Sequence, residues 1–103
     1  MKIPKNIIFG KTALHLKAKI LKSLKSNKFM PDIYIIAFPS AKNGILEIYP
    51  SYAFTIYPQY MEHIEIVGIA WGRDEAMEVV SNLIQDCYNS YGDFDLKNYF
   101  LER

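Results

Sequence analysis

The chain has 103 residues, half of them apolar and 22% charged, with a formal net charge of +1 at neutral pH. That length predicts one domain, 1–103, with a core large enough to stand without a metal or disulfide. The single cysteine, Cys87, excludes an internal disulfide and a zinc site built on several cysteines.

The near-neutral total conceals a division. Residues 1–31 hold eight lysines and no acid, whereas residues 32–103 hold four basic residues and all eleven acids. Such a split predicts either an anionic partner for the first part or pairing within the molecule. The first residues, MKIPKNIIFGKTALHLK, lack the apolar segment of a secretory leader. The longest uncharged run, Ile48 to Met61, contains two prolines and falls short of the about 20 apolar residues that span a bilayer. A cytoplasmic protein without a membrane span is the expectation.

The first helix is expected over residues 12–26, capped by the Thr12 hydroxyl and ended by Asn27 and Pro31. On a helical wheel Ala13, Leu14, Leu16, Ile20, Leu21 and Leu24 form its apolar arc. Lys11, His15, Lys19, Lys22 and Lys25 lie opposite, and Lys17 falls inside the apolar arc, so its charged end must reach solvent or a carboxylate. DIYIIAF, residues 32–38, reads as a strand buried on both faces. The stretch ILEIYPSYAFTIYPQYM fits a hairpin, Ile45–Tyr49 against Ala53–Tyr57, or two helical segments broken at Pro50. The helical version is preferred because no glycine or asparagine separates the two runs.

HIEIVGIAW, residues 63–71, is a second buried strand. A helical crossover between it and the first would make the two strands parallel. The last helix is expected over residues 74–91. Ala76, Met77, Val79, Val80, Leu83, Ile84, Cys87, Tyr88 and Tyr91 occupy one half of its wheel, polar residues the other, and Gly92 stops it. The order is α-β-(α or ββ)-β-α: an α/β or α+β domain with a small sheet of about three strands between a basic N-terminal helix and an acidic C-terminal one. The third strand would come from Lys5–Phe9, the ambiguous region, Leu96–Phe100 or a second subunit.

The turn after the second buried strand carries Gly68, Gly72 and Arg73, but neither a dinucleotide-binding glycine pattern nor a Walker loop. Asp74 and Glu75 would repel phosphate there and instead suit the helix dipole, so the turn reads as a corner with capping acids. The stretches YIIAFPS, LEIYPSY and IVGIAWGRDEAMEVVSNLI resemble those of a family of small uncharacterised bacterial proteins of about this length. The resemblance implies a bacterial source and a cytoplasmic setting, and brings no activity or catalytic residues.

No catalytic residue, metal site or cofactor is predicted. Cys87 sits on an apolar helix face, where burial suppresses the thiolate that nucleophilic chemistry needs. Ser40, Ser51, Ser81 and Ser90 lack a recognisable surrounding motif. His63 and Glu65 share a strand face that Glu62 does not, and His15 lies among lysines, so metal ligands are too few. The leading expectation is a binding or assembly module, with Tyr49, Tyr52, Phe54, Tyr57 and Tyr60 as an aromatic self-association surface. The first alternative is a nucleic-acid or anionic-surface protein acting through Lys11, Lys19, Lys22 and Lys25. The second is an enzyme with a small-molecule pocket at the Gly68–Arg73 turn.

Overall fold

A computed structural model gives the structure and describes residues 3–26, 28, 30–39, 45–56 and 58–102, apart from the side chains of 55, 60, 61 and 102. Asn27 as a helix stop, Ser40, and Tyr57 as an interface residue lie outside the described residues. Tyr60 is described only in its backbone.

The chain opens with a two-residue strand, β1 (Ile8–Phe9), followed by α1 (Lys11–His15) and α2 (Lys17–Lys25). The single first helix is thus two. Leu16, at φ −112° and ψ 17°, breaks the spiral, and Ile20 N–H restarts it by donating to Leu16 O. The break resets the wheel: Ala13, Ile20 and Leu24 are buried, whereas Leu14 is 57% exposed despite its place in the predicted arc. The Thr12 cap is also corrected. Gly10 precedes α1 without a side-chain cap, and Thr12 is already inside the helix. Lys17 is exposed, and its ammonium lies 5.4 Å from the centre of the Phe9 ring, a cation–π contact at the protein surface.

β2 (Ile33–Phe38) and β4 (Glu65–Trp71) form the centre of one sheet, with β3 (Glu47–Pro50) beside β2 and β1 beside β4. The sheet therefore has four strands, not about three, in the order β1-β4-β2-β3. β2 and β4 run antiparallel, which corrects the parallel pair expected from a helical crossover; the parallel pair is β1 with β4. The ambiguous region supplies one strand and two short helices. β3 pairs with β2 and not with residues 53–56, and α3 (Ala53–Ile56) and α4 (Pro58–Met61) follow. Pro50 ends β3, where its missing N–H does no harm on an edge strand. Leu96–Phe100, one source proposed for a third strand, lies in a helix, α6 (Leu96–Glu102).

Helices cover both faces of the sheet. Ala13, Ile20 and Leu24 pack with Ile33, Ile35 and Ala37 on one face, and Phe9, Tyr49, Phe54 and Trp71 surround them. On the other face α5 (Arg73–Tyr91) sets Ala76 and Val79 against Ile36 and Ala70, and Leu83 and Cys87 against Phe38 and Val67. Leu96 and Phe100 of α6 close the latter cluster. Ile33, Ile35, Ile36, Val67 and Ile69 are fully buried, as strands covered on both faces must be. The register shifts between Ile36 and Ala37, opposite Gly68 and Ile66, so Val67 is the extra residue of a bulge and β4's alternation is interrupted there. Gly92 (φ +73°) ends α5 in the left-handed conformation, its N–H donating to Tyr88 O.

Candidate functional site

The parallel pair β1–β4 delivers two chain ends to one side of the sheet. Beyond β1 comes α1, and beyond β4 comes α5. Between them lies a cleft of about 400 Å³, with Ile8, Val79 and Leu83 as apolar lining and Lys11, Glu75, Glu78, Asn82, Asp86 and Tyr99 as polar lining.

Glu75 holds this corner together. Its Oε1 accepts from Thr12 N–H at 2.6 Å, and its Oε2 accepts from Ala13 N–H at 3.3 Å and Trp71 N–H at 2.6 Å. Thr12 and Ala13 are in the first turn of α1, whose amides have no partner within the helix. One carboxylate on α5 therefore caps another helix and ties both to the end of β4. Burial alone would raise the Glu75 pKa. The hydrogen bonds from Trp71, Thr12 and Ala13 outweigh it and leave the carboxyl below its ordinary value. Gly10 makes room for the arrangement. Its N–H donates to Ile69 O at 2.8 Å, and a Cβ at Gly10 would lie 2.5 Å from Glu75 Oε2.

The residues singled out in the sequence fall in four places. Gly68 lies inside β4, against Ile8 O, Gly72 (φ +85°) caps α5, and Arg73 is exposed at its start; none of the three is in the lining of this cleft. The corner does receive an anion, but at α1 rather than α5, and the anion is the chain's own Glu75. Glu75, Glu78 and Asp86 set three acids against Lys11 on the lining of the cleft. Lys11 joins these acids in the cleft and is separated from Lys19, Lys22 and Lys25, which are exposed on α2.

Three residues of the aromatic segment have described side chains. Tyr49 and Phe54 pack against the core, with the Tyr49 hydroxyl donating to Glu47 Oε2 at 2.8 Å, and Tyr52 is 43% exposed. Cys87 is buried, its Sγ directed to Asp93 O at 3.4 Å. Burial, with the charges of Asp93 and Asp95, pushes the thiol pKa up, which disfavours the reactive thiolate. His63 and Glu62 are exposed, Glu65 pairs with Lys97 at 3.4 Å, and among the described residues no three potential ligands are placed to hold a metal. No described helix is long and apolar enough to cross a membrane.

One surface went unread in the sequence. Met77, Ile84, Tyr88 and Tyr91 of α5 are 55%, 36%, 49% and 37% exposed, and Phe94, 64% exposed, stacks on Tyr88 with ring centres 5.1 Å apart. With half-buried Val80 they follow the spacing i, i+3, i+7, i+11, i+14, a straight stripe on a helix. Val80 packs against the buried cluster of Ile36, Ala70, Ala76 and Val79, as do Tyr34, Leu46 and Ile48, so the stripe borders the core at that point. Comparison with protein-family models, curated proteins and solved structures finds no match for this chain.

Proposed function

We propose that the chain is a small assembly module that pairs with a second copy of itself along the exposed flank of α5. The observation that carries this reading is the Met77–Val80–Ile84–Tyr88–Tyr91 stripe, which turns aside from the residues of α5 that pack on the sheet. Ala76, Val79, Leu83 and Cys87 already bury one line of that helix. A second line with near-heptad spacing fits helix-to-helix packing.

Charge at the two ends favours a second copy in antiparallel orientation. Arg73 stands exposed at the start of α5, and the exposed acids Asp93 and Asp95 follow its end. Two such helices crossing at Ile84 would bring Arg73 of each copy close to Asp93 and Asp95 of the other. A parallel pair would instead set like charges together. The twofold arrangement is self-complementary, as a symmetric dimer interface has to be.

Light scattering on a sizing column tests the reading. A mass of about twice 12.0 kDa is expected, falling to the monomer value in Ile84→Lys. Ile56→Lys, which alters a more exposed side chain on α3, leaves the dimer intact. Arg73→Asp weakens association, and Arg73→Asp combined with Asp93→Arg recovers it. A monomer at high concentration, or an Ile84→Lys variant that still dimerises, rejects the proposal.

A further inference from the structure

The lysine-rich first third of the chain poses a separate question, independent of self-association. Its charge could be neutralised within the molecule or could await a partner. The fold answers through layering. α2 covers one face of the sheet, α5 and α6 cover the other, and seven of the eleven acids lie between residues 74 and 102. Two packing spacings of about 10 Å separate the helical layers, against a screening length of about 8 Å at physiological salt. Among the described residues the ion pair within 4 Å is Lys97–Glu65, and no described lysine of residues 3–31 has a carboxylate at that distance. Glu47 lies on the α2 side of the sheet, two positions from Tyr49 on β3, and its carboxylate accepts the Tyr49 hydroxyl.

On α2 the cations are ordered. Ile20 and Leu24 point into the core, and Lys19, Lys22 and Lys25 project from the opposite side at three-residue steps. Each step advances about 4.5 Å along the helix. Lys28, exposed, follows beyond the helix end, where its N–H donates to Ser23 O at 3.0 Å and the Ser23 hydroxyl donates to Lys28 O at 2.9 Å. The local turn at Lys28 is thus fixed by two hydrogen bonds.

We infer that Lys19, Lys22, Lys25 and Lys28 form a binding face for the phosphate backbone of nucleic acid. A linear row of unpaired cations matches a linear chain of phosphates. Bilayer binding would require an apolar wedge beside the charges, and α2 has spent its apolar side on the sheet. Lysine without arginine or asparagine contacts phosphate and not base edges, so the face binds without regard to sequence.

Fluorescence anisotropy with a labelled 20-base-pair DNA duplex, titrated from 50 to 200 mM NaCl, tests the inference. Three to four neutralised phosphates predict a log–log salt slope of about −3 and a roughly 40- to 150-fold loss of affinity over that range. Lys22→Gln and Lys25→Gln should each flatten the slope by about 0.9. Lys97→Gln, on the α6 side, leaves it unchanged. Two unrelated duplex sequences should bind equally. Absence of binding at 20 mM salt overturns the inference. So does a slope that Lys22→Gln and Lys25→Gln leave untouched, or retention on phosphatidylglycerol vesicles without binding to DNA.

Discussion

At the scale of single residues, Gly10 and Glu75 act as one unit although 65 positions apart. Gly10 has an ordinary backbone conformation (φ −62°), so its requirement is for space and not for a left-handed turn. Gly10→Ala would force the Glu75 carboxylate off its three amides. Hydrogen bonds to a charged group contribute about 1.5–3 kcal/mol each, and part of that total is recovered from water when they break. A loss of about 2 kcal/mol is therefore expected from urea unfolding of Gly10→Ala, and a similar loss from Glu75→Ala. The double variant should cost much less than both losses together, because the clash and the bonds vanish with the same carboxylate. Strict additivity would show that the two residues do not communicate. Acid titration gives a second reading of the same group. The folded Glu75 pKa lies below the unfolded value, so its stabilisation is fully present above the ordinary carboxylate range and is lost as pH falls through the folded pKa. Glu75→Gln should remove that part of the acid sensitivity. The sequence revealed half of this arrangement. Glu75 at the third position of a helix, reaching back to Trp71, resembles one arm of a capping box, and the sequence reading assigned it to α5 alone. Its other arm depends on α1 arriving at the same corner, a long-range placement that no local pattern encodes.

At the scale of elements, what could be read depended on whether a signal was local. The two central strands were visible because about six consecutive residues shared one environment, and α5 because its helical periodicity runs unbroken over residues 74–91. β1 was not secure, since Ile8 and Phe9 become a strand only by lying parallel to Gly68 and Ile69. The Leu16 break was hidden by an unbroken helical pattern. The stripe on α5 was hidden differently: nine apolar residues on half a wheel were read as one core face. A helix resting on a sheet needs an apolar arc of about 100°, so the excess width was itself the sign of a second surface. β1 also offers a test. A Cβ on Gly68 would stand 3.0 Å from the Ile8 carbonyl oxygen, a backbone atom with little room to yield. Gly68→Ala should push β1 away and destabilise by about 1–3 kcal/mol. Hydrogen exchange would locate the damage: the Gly10 amide, bonded to Ile69 O, loses protection while the β2–β4 ladder amides keep theirs. Uniform loss across the sheet would mean that β1 is integral to the core and not a detachable edge.

At the scale of the whole molecule, the two proposed surfaces lie on different layers, and this gives a test that neither supplies alone. Dimerisation along the α5 flank leaves the α2 rows uncovered, one in each copy, so association and DNA binding should separate cleanly by mutation. Ile84→Lys should lose the dimer mass and keep a salt slope of about −3 for a short duplex, because it breaks the pair and spares α2. Lys22→Gln with Lys25→Gln should keep the dimer mass and lose DNA affinity. If Ile84→Lys abolishes DNA binding together with the dimer, the lysine row of one copy is not a complete binding face, and the two surfaces do not act independently.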